Sequence, residues 1–298
     1  MAAAVTASSQ MAPASGAAVR FRGVRSWWGA LALPGAAALV VFFVVPLAYM
    51  VVRSLSDPSP RNYVEVITSS IYLKSYATTL LVAVWTVVVC LVLGYPYAYV
   101  MARSSRPVSM ILGFCVLMPF WMSILVRTYA WTVWLQDNGM INTFLLRLGL
   151  IKEPMALMGN ALGTTIGMAQ VLLPFMVLSL VTAMKRIDPA LELASRSLGV
   201  GPVRTFLRVF LPLSGPGIFA GGLIVFVTAL GFYLTPAILG DPTKPLISQL
   251  IVERVNTLLD FGGGGALGIV LLILTLVILL IGVRFVDLKE IVGLRGES

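Results

Sequence analysis

Few side chains in this sequence can do chemistry, and those few are unevenly placed. Arg127 lies between the uncharged apolar stretch 107–126 and the aromatic stretch 128–135. An ionisable group at such a depth is either a contact on a solute path or an anchor. The anchoring arginine would reach for outer headgroups or pair with Asp137 at a helix end. Tyr129, Trp131 and Tyr233 offer aromatic faces that attract cations, and serve equally well as interfacial anchors. Tyr95, Tyr97 and Tyr99 have the same two readings. The other concentration of charge is the stretch after residue 184, where Glu192, Arg204 and Arg208 stand among small and apolar residues. Groups of that kind make docking contacts with a protein or with anionic lipid headgroups.

The missing residues narrow the chemistry further. The chain has no histidine, so the commonest general base and metal ligand is lacking. Its two cysteines, Cys90 and Cys115, both sit in apolar runs, which argues against a disulfide framework or a cysteine metal site. The glycine run 262–265 continues into Ala266-Leu-Gly268 and lacks the lysine and hydroxyl of a phosphate loop. No catalytic residues and no metal site are expected, and the chain is not expected to be an enzyme.

Composition identifies the elements that must position these groups. Of 298 residues, 59% are hydrophobic and only 11% charged, with a mean hydropathy of +0.97. Soluble domains carry about 25% charged residues, so this chain could not cover a water-facing surface. An all-α polytopic membrane protein in contact with a lipid bilayer follows. The net charge of +9 is then a topology signal rather than the mark of a nucleic-acid partner. Six windows carry no Asp, Glu, Lys or Arg: 26–52, 75–102, 107–126, 154–184, 209–240 and 261–283. Each can hold one transmembrane helix of roughly 20 residues. The spans are predicted at about 27–52, 76–101, 108–135, 158–184, 214–239 and 264–283.

An even number of spans places both termini on one side. The segments sharing that side with the N-terminus carry thirteen basic and five acidic residues, and the opposite side eight and seven. The positive-inside rule therefore assigns both termini to the cytoplasm. Residues 1–26 read as a disordered cytoplasmic tail and 286–298 as a cytoplasmic C-terminal tail, around a membrane domain at 27–285. The apolar run from Trp27 is too long for a cleaved signal peptide and reads as an uncleaved anchor.

The longest cytoplasmic connection, 185–213, predicts two short helices. Asp188 is suited to cap the first and Pro189 to its opening position. Leu191, Ala194, Ser195 and Leu198 then share a face. Gly199 suits a left-handed end, Pro202 a new start, and Arg204 and Arg208 fall on one face at i, i+4. Spacing alone leaves open a partner-docking helix pair or a linker lying on lipid headgroups.

The stretch Ala194-Ser-Arg-Ser-Leu-Gly199, with Phe210-Leu-Pro212 and Gly215-Pro-Gly-Ile218 downstream, resembles the EAA loop of binding-protein-dependent ABC importer permeases. The family's glutamate position falls on Leu193 here, with Glu192 one residue earlier. Further pieces resemble the spermidine/putrescine-type branch of those permeases. They are Gly94-Tyr-Pro-Tyr-Ala-Tyr99, Leu125-Val-Arg-Thr-Tyr-Ala-Trp131, Asp137-Asn-Gly139, Pro174-Phe-Met176 and Gly231-Phe-Tyr-Leu-Thr-Pro236.

The resemblance implies a MetI-like permease fold in the bacterial inner membrane. It also implies a partner ABC ATPase dimer, a second permease subunit and a periplasmic solute-binding protein. ATP and magnesium would be held by the ATPase, and this chain would bind no cofactor. The docking residues would be Glu192, Ala194, Ser195, Gly199, Arg204 and Arg208. Candidate pathway residues are Arg127, Tyr129, Trp131, Asp137 and Tyr233. The cargo it implies is a polyamine or related amino compound, although no span carries an acid that would attract one. The competing class, an ion- or proton-coupled secondary transporter, would need such intramembrane acids.

Overall fold

The computed structural model describes residues 25–57 and 59–284, which contain helices and connections but no strand. Apart from the start of the first helix, the expected terminal tails lie outside the described residues. The chain divides into two compact units, Met1–Tyr49 and Met50–Ser298. Helix α1 (Arg25–Ser56) begins in the first unit, where its run Leu39-Val-Val-Phe-Phe43 is apolar throughout, and ends in the second.

The second unit continues with α2 (Arg61–Thr68), α3 (Ser70–Arg103), α4 (Arg106–Leu117), α5 (Ile124–Leu135), α6 (Met140–Arg147) and α7 (Ala161–Met184). After these come α8 (Pro189–Ser197), α9 (Pro202–Thr205), α10 (Leu211–Leu213), α11 (Gly215–Leu230), α12 (Leu234–Leu239), α13 (Ile247–Asn256) and α14 (Phe261–Arg284). Four helices are long and apolar enough to cross a bilayer: Leu33–Ser56, Ser70–Arg103, Ala161–Met184 and Phe261–Gly282. Counting each of two bent pairs as one crossing gives six.

Within the expected spans 108–135 and 214–239 the chain is broken into shorter helices. The first is interrupted at a tight 3-10 turn, Met118–Trp121, containing Pro119. Met122 and Ser123 are then extended (ψ 141° and 137°), and the two limbs meet at 97°. Pro119 cannot donate to the helical ladder, and the chain turns before α5 restarts. In the second region, Pro202–Leu213 and Gly215–Leu230 meet at 58°. Helix α11 then ends at Gly231, and residues 232 and 233 separate it from α12. The outer limbs of both breaks come together where Thr128 of α5 faces Thr235 of α12, Oγ1 to Oγ1 at 3.4 Å.

The core is a three-helix contact of α3, α7 and α11. Cys90 and Ala98 of α3, Met168, Met176 and Leu180 of α7, and Val225 of α11 are sealed inside it. Lipid tails are as apolar as leucine, so water exclusion does not drive these helices together; close packing does, and small residues permit it. Gly217 and Gly221, one turn apart on α11, lie against α7. A Cβ on Gly217 would stand 2.5 Å from that of Ala183, and one on Gly221 would stand 2.8 Å from Met176 Sδ.

A second, smaller cluster joins α2, the start of α3, α13 and α14 around Tyr76, Ile247 and Leu267. Arg254 of α13 clamps its rim. Its guanidinium donates to Asp260 Oδ2 at 2.5 Å and Glu65 Oε1 at 2.7 Å, donates to the Tyr72 hydroxyl, and lies over the Tyr72 ring. Burial works against both charges. For Asp260, the Gly263 N–H and the Arg254 guanidinium outweigh it and hold the carboxyl below its ordinary range. For Arg254, the bonds to Asp260, Glu65 and Tyr72 outweigh it and raise its pKa.

Replacing Gly217 with leucine is expected to push α11 off α7. Accumulation of the chain in membranes should fall several-fold, as read by quantitative immunoblotting of membrane fractions. The Asp260 carboxyl, being lowered on folding, contributes stability above the ordinary aspartate range that disappears as pH falls through its folded value. Asp260→Asn should therefore cost roughly 1–3 kcal/mol at pH 7, the scale of a charged hydrogen bond. It should also flatten the acid side of the melting-temperature profile.

Candidate functional site

One candidate site is the connection that follows α7. Asp188 Oδ1 accepts the Ala190 N–H at 2.8 Å, and Pro189 takes the first turn, where its missing N–H is no loss. The helix stops at Gly199, whose φ of +77° is a left-handed value that a side chain would disfavour. Pro202 then starts α9. The chain continues through a π-helical turn, Phe206–Phe210, into α10. Asp188, Pro189, Gly199 and Pro202 act as expected, whereas Pro212, expected to end the second helix, lies inside α10, and the π turn is unexpected. Arg204 and Arg208 are both exposed.

The inner side of this element is fastened to the bundle. Ser195 Oγ and Thr205 Oγ1, 3.0 Å apart, tie α8 to α9. Arg103, the last residue of α3, forms an ion pair with Glu192 and lies over the Phe210 ring, 5.0 Å from its centroid. Phe206 and Phe210 stack on each other at 5.8 Å. Tyr99 of α3 meets both edge-on, at 5.7 Å and 4.9 Å, and Tyr95 meets Phe206 at 5.9 Å. The Tyr95 hydroxyl reaches Ser214 Oγ at 2.9 Å. Glu192, expected among the docking residues, is therefore turned inward and serves as a strap.

Among the described residues, the outer side makes no such contacts. Leu198 is 83% exposed and Val203 69%; Leu191, Leu193 and Leu207 are exposed as well, beside Ala194, Gly199, Arg204 and Arg208. Of the residues expected on one face of α8, Leu191, Ala194 and Leu198 point outward, while Ser195 is half-buried toward Thr205. Bare leucines interspersed with arginines form a surface suited to a protein.

The second candidate site lies toward the N-terminal end of α7, around α5. Arg127 and Trp131 line one cavity of about 260 Å³ together with Met122, Trp134 and Gln170. Arg127 Nε and Nη1 are buried with no hydrogen-bond partner among the described residues, and so is Gln170 Oε1. Asp137 is exposed and makes no ion pair with Arg127, so of the two anchoring alternatives the helix-end pair is not formed. Tyr129 and Tyr233 are exposed and do not line this cavity.

Sequence reasoning missed Gln170, Arg103 and the aromatic cluster. Gln170 is uncharged and passed through a search for charges. Arg103 read as one more basic residue at a span end. Tyr95 and Tyr99 are spaced i, i+4, as are Phe206 and Phe210, and that shared spacing was the available signal.

If Glu192 is a strap, Glu192→Gln should loosen α8 while leaving the membrane bundle folded. Protease cleavage at Arg196 should then rise at least several-fold. The reversed pair, Arg103→Glu with Glu192→Arg, should restore most of the protection. Limited trypsinolysis of the protein in membranes measures both.

Comparison with known proteins places the chain in a family. Residues 91–290 match the family described as binding-protein-dependent transport system inner membrane component. The spermidine/putrescine transport system permease protein PotB of Escherichia coli is 31% identical over 252 residues, covering 82% of this chain and 92% of that one. Its namesake in Haemophilus influenzae is 31% identical over 238 residues, covering 79% of each. The fold is also that of a chain in a bacterial alginate ABC transporter, solved in complex with an alginate pentasaccharide-bound periplasmic protein. That match has a TM-score of 0.68 and 18% identity, and covers 86% of this chain and 92% of the other. With two thirds of its length matched by the family and most of it aligned with curated permeases, this chain belongs to the binding-protein-dependent transport system inner membrane components.

Proposed function

We propose that this chain is the transmembrane permease subunit of an ATP-driven importer in the bacterial inner membrane. Its cargo is a small amino-containing solute of the polyamine type or a related compound. The cargo class follows the transport systems for which the 31%-identical relatives are named. Both termini face the cytoplasm, in keeping with the thirteen-to-five excess of basic residues on that side. A periplasmic binding protein delivers the solute, a second permease subunit completes the pore, and a separate ATPase dimer holds ATP and magnesium. This chain does no catalysis itself.

The observation that carries the reading is the two-sided construction of residues 185–213. The outer side presents exposed Leu193, Leu198 and Val203 beside Arg204 and Arg208, the surface an ATPase would grip. The inner side is locked to the end of α3 by the Arg103–Glu192 pair and the Tyr95, Tyr99, Phe206 and Phe210 rings. A push on the outer side would therefore move α3, and α3 packs along α7 and α11 in the core. Closure of the ATPase dimer becomes a displacement of the helices that line the pore. The ring contacts are stiff because each pair is worth about 0.5–1.5 kcal/mol beyond its burial. Among the described spans no Asp or Glu lies between the helix ends, so proton or sodium coupling has no group to act through.

Reversing Arg204 and Arg208 to glutamate together should reduce ATPase co-purification by at least about tenfold and abolish solute uptake. Membrane content should be unchanged, because both side chains are exposed. Normal ATPase recovery and uptake in that variant would remove the docking role. Leucine at Gly199 should act the same way by straining the turn that sets α8 against α9.

A further inference from the structure

The cavity around Arg127 holds polar atoms that the other described residues leave without partners. Two guanidinium nitrogens are buried without an acceptor, and the Gln170 amide oxygen is buried without a donor. Both residues face the same space of about 260 Å³, walled by Pro119, Met122, Trp131 and Trp134. A buried charge is tolerated only when paired, and at membrane depth such groups face a protein partner or a water-filled path.

Among the described residues, no acid forms an ion pair with Arg127. Glu65 and Asp260 are held by Arg254, Glu192 by Arg103, and Asp57 by Arg53. Asp241 accepts from Thr243, and Asp188 caps α8. The nearest acid in sequence, Asp137, is exposed and makes no ion pair with Arg127. An amino-bearing cargo does not answer the need either, because its ammonium would be repelled by the guanidinium.

The same limb presents a bare apolar surface beside the cavity, with Trp121 74% exposed and Val126, Tyr129 and Val133 exposed with it. The 97° bend after Trp121 turns this limb away from the line of α4.

We propose that the α5 limb is a contact surface for the second permease subunit, and that a carboxylate of that subunit enters the cavity to pair with Arg127. The carboxylate accepts a hydrogen bond from the guanidinium on one side, and neighbouring polar groups on the same partner segment accept the remaining N–H and donate to Gln170 Oε1. The apolar face around them is covered by the partner. In the assembled pore the partner carboxylate balances the arginine's charge, which lets a polyamine-type cargo pass a wall that contains one. The inference rests on the importer reading, since it requires a second permease.

The test uses the whole importer, expressed together and purified through a tag on this chain, with co-purification of the second permease and solute uptake as readouts. Arg127→Glu should reduce both by at least about tenfold, Arg127→Lys should retain much of each, and Gln170→Leu should reduce both less. A photo-crosslinker at Tyr129 should join this chain to the second permease, and the crosslinked peptide should lie near an Asp or Glu. Changing that acid to arginine should reproduce the defect, and combining it with Arg127→Glu should restore pairing and uptake.

Normal co-purification and uptake with Arg127→Glu would overturn the ion pair, as would failure of the charge exchange to rescue. Crosslinking only to lipid would overturn the surface, and crosslinking to a second copy of this chain would overturn the distinct partner. If no second permease accompanies the unaltered chain at all, the importer reading itself fails.

Discussion

The attachment of one short surface element to one long helix is the constraint on which the functional reading depends. Residues 188–213 would be an ordinary connection if they were free. They are not free, because Glu192 is paired with Arg103 and the Phe210 ring lies between Tyr99 and the same guanidinium. Side-chain entropy argues against such contacts at a surface unless several reinforce one another. Here the ion pair, the Ser195–Thr205 contact and the ring cluster all constrain the same two short helices. The π turn at Phe206–Phe210 belongs to this arrangement, since it sets the two rings that Tyr99 meets while Arg204 and Arg208 stay outside.

Packing within the bilayer then carries the displacement inward. Helices α3, α7 and α11 approach closely because Gly217 and Gly221 remove the atoms that would hold α11 away from α7. A helix cannot slide independently in such a contact without opening voids, so movement of α3 is shared. The broken spans are the contrasting feature. Their outer limbs, α5 and α12, meet through Thr128 and Thr235 and through the buried cluster of Leu135, Leu157 and Leu239.

Much of the fold was legible because its determinants are local. Charge-free runs mark helices that must lie in lipid, and Asp188, Pro189, Gly199 and Pro202 each impose a backbone choice at their own position. The breaks at 118–123 and 231–233 were harder to read. Pro96 and Pro174 lie inside continuous helices, whereas Pro119 sits in a turn that ends one. A proline permits a bend, and tertiary packing decides whether it opens. The site was legible in part. Exposed Arg204 and Arg208 followed from helical spacing, but the inward turn of Glu192 depends on Arg103, 89 residues away in the chain. The cavity at Arg127 depends on Gln170 in the same way: two unremarkable positions acquire meaning only when the fold places them together.

The central claim is that the loop and α3 move as one body. Pulsed electron paramagnetic resonance between spin labels at Ser197 on α8 and Ser104 after α3 tests it directly, with the exposed Cys115 replaced by serine. The importer is compared in nucleotide-free and ATP-trapped states. The account predicts that the distance between these labels stays constant to within about 2 Å, less than the one-turn step of a ratcheting helix, while distances from Ser197 to α14 change. A change between Ser197 and Ser104 as large as that between Ser197 and α14 would mean the loop slides over the bundle, and would contradict the account.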